Sequence, residues 1–73
     1  MAEPLLEETL VRAGRIRSFH IDAAPAVGWE VSERINERIV QKQRYTEWHR
    51  VERTLSRFKR TIAALRSDGW QEV

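Results

Sequence analysis

Arg50, Arg53, Arg57 and Arg60 follow one another at spacings of 3, 4 and 3. On a helix this rhythm gathers all four side chains on one side. Their guanidinium groups are planar, permanently charged forks that match carboxylate or phosphate oxygens. They cluster near the side opposite the helix's apolar seam, with no acid among them on that side, and His49 adjoins the stripe. Faces that serve only solubility usually mix signs. A ridge of one sign can meet successive phosphates, with binding that weakens steeply as salt rises. These residues therefore point to a polyanion: nucleic acid, or the acidic surface of a protein, including the chain's own Glu3, Glu7 and Glu8. Arg12, Arg15 and Arg17 form a second basic cluster, and the spacings of a helix-turn-helix or zinc finger are absent.

Other chemistry is thinly represented. His20 and Asp22 share one face of an extended segment, where the carboxylate could orient the imidazole. No serine is spaced to act as their nucleophile. The chain has no cysteine and only two histidines, which excludes disulfides and thiolate zinc sites. Glu47, His49 and Glu52 make no recognised metal spacing, and Gly14, Gly28 and Gly69 lie too far apart to form a phosphate loop. The expectation is a protein without catalytic residues, cofactor or metal.

The element that must carry the arginines is the clearest in the chain. Trp48, Val51, Leu55, Phe58, Ile62 and Leu65 alternate spacings of 3 and 4, which places them on one helical face. A helix over residues 46–69 follows, with Thr46 as its cap, Glu47 in its first turn and Gly69 as its left-handed stop. Trp70, beyond the stop, is placed to fold back over the last turn. A short strand at 70–73 is a further option. The 46–66 stretch holds six bases against two acids, so the basic balance of a chain with net charge +2 lives on this helix.

Residues 15–45 read as antiparallel sheet. Ile16, Phe19 and Ile21 mark a strand over 15–22, although Ile16 falls on the opposite face, which implies a bulge or a start nearer Arg17. Pro25 and Gly28 punctuate a connecting loop over 23–28. Trp29, Val31 and Ile35 line one face of a second strand, and Ile39 to Tyr45 form a third. A three-residue loop at Asn36–Arg38 would pair Ile35 with Ile39, Trp29 with Tyr45 and Glu30 with Arg44. The rival is a helix over 32–39, with the like-charge pairs Glu33/Glu37 and Arg34/Arg38 against it. Residues 1–14 resemble a short helix or a frayed tail, with Pro4 near the start and Gly14 as a stop.

The expected fold is thus α+β: a single small domain over 1–73, a three-stranded antiparallel meander (β-β-β-α) packed by one long C-terminal amphipathic helix, with a short helix at the N-terminus. Such a helix would measure about 32 Å against about 23 Å for a seven-residue strand. It should overhang the sheet and leave Phe58, Ile62 and Leu65 partly uncovered, to be covered either by Leu5, Leu6, Leu10 and Val11 of the same chain or by a second copy. A 73-residue chain also has a marginal core, which oligomerisation often supplements. The seam has the a/d spacing of helix pairing, so a homodimer through Phe58, Ile62, Leu65 and Trp70 is expected. No apolar run is long enough to span a membrane, and the acidic start from Met1 to Leu10 lacks the features of a secretory signal, which makes the cytoplasm the expected location. The functional expectation is a small, non-catalytic, self-associating interaction module. The alternative is a nucleic-acid-binding accessory protein that uses the arginine face.

Overall fold

The computed structural model describes residues 4–24 and 28–73. Its elements in chain order are β1 (Leu6–Arg12), β2 (Arg15–Ala24), β3 (Gly28–Ile35), β4 (Arg38–Tyr45), α1 (Trp48–Ser67) and β5 (Gln71–Glu72). The strands form one antiparallel sheet in the order β4-β3-β2-β1-β5, and α1 packs on one face of it. The α+β class and the C-terminal helix match the sequence, but the sheet has five strands rather than three.

The added strands come from both ends of the described chain. Residues 6–12 were expected to be helical or frayed, yet they pair with β2 from Leu6↔Ile21 to Arg12↔Arg15. Leucine and glutamate favour helices, but Thr9-Leu10-Val11 suits a pleated surface, and Leu10 is fully buried there. Burial overrides the local preference. Ala13 and Gly14, at φ 50° and 78°, form a two-residue hairpin turn of the primed kind, whose twist matches the strands. Gly14 is thus a hairpin residue rather than a helix stop.

β2 runs without irregularity from Arg15, so the suspected bulge is absent from it. Ile16 lies on the face opposite Phe19 and Ile21 simply because both faces of this strand carry apolar residues. Pro25 to Val27, within the expected loop, fall outside the described residues. The β3–β4 hairpin resolves the competition between loop lengths. Trp29↔Tyr45 and Glu30↔Arg44 pair as the sequence implied, but the turn is Asn36-Glu37 alone, with Ile35 opposite Arg38 rather than Ile39. A bulge absorbs the difference: Glu33 faces Gln41 and Arg34 faces Ile39, which leaves Val40 unpaired. Asn36 and Glu37 both have positive φ, and Asn36 exchanges hydrogen bonds with the backbone of Ile16 at 2.8 and 2.9 Å, tying the turn to β2. The rival helix over 32–39 does not form.

The core lies between the sheet and α1. Leu10, Phe19, Ile21, Val31, Val51, Phe58, Ile62 and Leu65 are buried, with Phe19 and Phe58 packed edge to face at 5.2 Å. Phe58, Ile62 and Leu65 are therefore covered within the chain, contrary to the expected overhang. The extra strands β1 and β5 widen the sheet enough to receive them. Trp48 departs from the seam; it is 44% exposed and rests on Trp29 with ring centroids 5.4 Å apart. Buried Thr54 takes a place in the packed face, its hydroxyl donating to the Arg50 carbonyl at 3.1 Å.

The helix begins one residue later than expected. Glu47, not Thr46, is the capping residue, and no side chain caps the first turn. The other end is closed as the sequence implied. Gly69, at φ 95°, donates to Arg66, and Trp70 donates to Leu65 at 3.0 Å, a Schellman motif that turns the chain back. Trp70 packs on the core, and Gln71–Glu72 pairs with Val11 and Leu10. Arg66 then bridges Glu72 and Glu8.

Candidate nucleic-acid interface

The edge strand β4 and the flank of α1 bound a broad open groove of about 830 Å³. It is lined by Tyr45 from the strand, and by His49, Arg50, Arg53, Thr54, Arg57 and Arg60 among the helix residues. All four sequence-picked arginines meet here. All four remain exposed on the helix flank, and Tyr45, the last residue of β4, is the strand residue that lines the groove with them. Arg57 marks the join: its guanidinium lies 3.5 Å from the Gln41 side-chain oxygen and 5.7 Å from the centre of the Phe58 ring.

Local sequence explains why the helix approaches β4 so closely. Thr54 and Thr61 lie between the arginines and the buried seam. Both turn their hydroxyls back onto the helix, to the carbonyls of Arg50 and Arg57. Small, internally satisfied side chains at these positions leave space for the strand. On the other side, Gly28 lets two backbones touch. A Cβ there would fall 2.2 Å from the Tyr45 carbonyl oxygen, and its φ of 102° already requires glycine. Tyr45 is thereby fixed at the mouth of the groove.

The electrostatics are one-sided. Among the described residues, the ion pairs are Arg17–Glu33, Glu30 with Lys42 and Arg44, and Arg66 with Glu8 and Glu72, and the His49 ring lies 3.5 Å from the Glu47 carboxylate. None involves Arg50, Arg53, Arg57 or Arg60. One acid, Glu52, lines the groove together with the arginines, and it forms no ion pair with any of them. The chain's own N-terminal acids do not serve as the counter-charge. Glu7 and Glu8 sit on β1, separated from β4 by two strands, and Glu3 lies outside the described residues. The second basic cluster is also remote: Arg12 and Arg15 flank the first hairpin turn, while Arg17 is held at 2.7 Å by Glu33.

The other sequence-picked residues have different places. Phe58, Ile62 and Leu65 are interior, and Trp70 is half-buried against them. Phe19 and Trp29 belong to the packed face of the sheet, as their parity implied. His20 and Asp22 lie on the uncovered face, with His20 opposite Glu7 and Ser32. Groups of three or more metal-ligating side chains do not occur among the described residues. Parity assigns Tyr45, like Trp29, to the core rather than to a surface on which bases could stack; it does pack on the core, but it also lines the groove. Only the strand order reveals that β4 is an edge. No helix among the described residues is long and apolar enough to cross a membrane.

No family model matches the chain, and no curated protein or solved structure gives a significant match.

Proposed function

We propose that the chain is a small, non-catalytic, cytoplasmic binding module whose ligand is nucleic acid, held by the groove between α1 and β4. The observation that carries this reading is the convergence of Arg50, Arg53, Arg57 and Arg60 on one recess, without a carboxylate partner for any of them among the described residues. Four like charges held together repel one another, and an anionic ligand relieves that repulsion. From Arg50 to Arg60 the helix advances about 15 Å, enough to track several phosphates of one backbone. Self-association, the other function implied by the sequence, loses its main argument because the seam residues are buried within one chain.

The test is a titration of labelled nucleic acid at 20 and 200 mM salt with the intact chain and with Arg53→Glu/Arg57→Glu. Tight binding at low salt that is lost in the charge-reversed variant supports the reading. No binding at low salt, or equal binding by both chains, ends it. An acidic protein ligand would give the same dependence on Arg53 and Arg57 with acidic peptides but not with nucleic acid.

A further inference from the structure

Resting on that reading, we infer that the groove takes a single strand rather than a duplex, and that Tyr45 and His49 supply the surfaces on which its bases stack. The argument is one of shape. A duplex is read by an element that stands clear of its surroundings and enters a major groove about 12 Å wide. An α-helix with its side chains already measures about 10–12 Å across. Here α1 lies on the sheet, the body is 22 by 21 Å in cross-section, and the arginines occupy an exposed flank of α1 with Tyr45 of β4 at one end of it. Arg57 leans toward Gln41 on β4 instead of away from the molecule. A duplex could meet this flank only through its phosphates, whereas the rings at the end of the groove call for unpaired bases. A single backbone can descend into the recess.

The groove also offers what a single strand needs beyond charge. Tyr45 lines it at the end where α1 begins, held there by the close approach of Gly28. His49 lines the same end, with its side chain 61% exposed. Aromatic rings beside a row of guanidinium groups form the recurring solution for unpaired bases, because every base presents a stackable face. Arg50 stands beside His49 and Arg53 one turn further along the groove, in position for the phosphates on either side of a stacked base. Trp48 is more exposed than Tyr45 but does not line this groove; it is engaged with Trp29. It therefore serves as an internal control.

The experiment compares three labelled probes at 20 mM salt: oligo-dT of 12 nucleotides, a duplex of the same length, and a 12-mer of abasic sites. Oligo-dT is expected to bind about tenfold or more tightly than either of the other two. Tyr45→Leu, which keeps an apolar side chain against the core, and His49→Ala should each bring oligo-dT down toward the abasic probe, while Trp48→Leu leaves all three affinities unchanged. Circular dichroism melts of the variants separate loss of the ring from loss of the fold. Equal affinity for the three probes, all abolished by Arg53→Glu/Arg57→Glu, overturns the single-strand inference and leaves the polyanion reading intact. Absence of binding to every probe removes the reading beneath it as well.

Discussion

Arg57 and Gln41 meet across the gap between the helix and the edge strand, guanidinium to amide oxygen at 3.5 Å. That distance is at the outer limit of a hydrogen bond, and a neutral amide leaves the guanidinium charge uncompensated. The contact orients Arg57 without occupying it. With four such groups engaged, log-log plots of affinity against salt should have a slope of about −3 for a single strand, falling in magnitude by about 0.7 in Arg57→Ala. Fluorescence anisotropy over 20–300 mM salt measures it. A slope near zero would falsify the assignment of these arginines to phosphate contact.

Arg17 and Glu33 form the one close ion pair against the core, 2.7 Å apart and mostly shielded from water, with the Arg17 Nε buried and unpartnered. Removing the carboxylate alone leaves a shielded cation. Glu33→Gln is expected to cost about 1–3 kcal/mol, whereas Arg17→Met/Glu33→Leu should be neutral or stabilising. Urea unfolding of the three chains gives the comparison, and neither change should alter binding in the groove.

Ile62, expected to face a second copy, is 5% exposed and belongs to the chain's own core. If the seam joined two copies, Ile62→Asp would yield a folded monomer. The packing described here leads to a different outcome: loss of the cooperative melt itself, since an uncompensated buried charge costs as much as the whole stability of a domain this small. Light scattering on the unsubstituted chain, across a hundredfold range of concentration, supplies the other half of the test. Its mass should stay that of one chain.

Ala13 holds a φ of 50° in the first hairpin turn, a conformation that a Cβ disfavours. Ala13→Gly or Ala13→Asn should stabilise the fold by about 0.5–1 kcal/mol, or about 2–8 °C in melting temperature for a domain of this size. An unchanged or lower melting temperature would show that the turn tolerates alanine without strain.

The sequence disclosed those parts of the fold whose side chains repeat. The α1 seam, the Schellman stop at Gly69 and the pairing of Trp29 with Tyr45 all follow from local spacing. β1 was hidden because Leu6, Glu7 and Glu8 are good helix formers, and only the long-range pairing with β2 makes them a strand. The missing strand then propagated: with the sheet counted as three strands, a second copy was preferred over Leu5, Leu6, Leu10 and Val11 of the same chain as the cover for Phe58, Ile62 and Leu65, whereas Leu10 and Leu6 do join their core. The arginines were found for the right periodic reason. The part that Tyr45 plays beside them was not, because it depends on which strand lies at the sheet edge. No local pattern records that order.

The pairing of β5 with β1 joins Gln71 to Val11 and Glu72 to Leu10. During synthesis on the ribosome, the hairpins can form as they emerge, but one side of β1 stays open until some 60 further residues have been added. For most of that interval, until α1 has been made, Leu10 has neither helix nor closing strand over it. A nascent chain of this type is therefore most vulnerable to aggregation at its earliest strand. The charges of Glu7 and Glu8, set beside that open edge, are well placed to protect it while it waits.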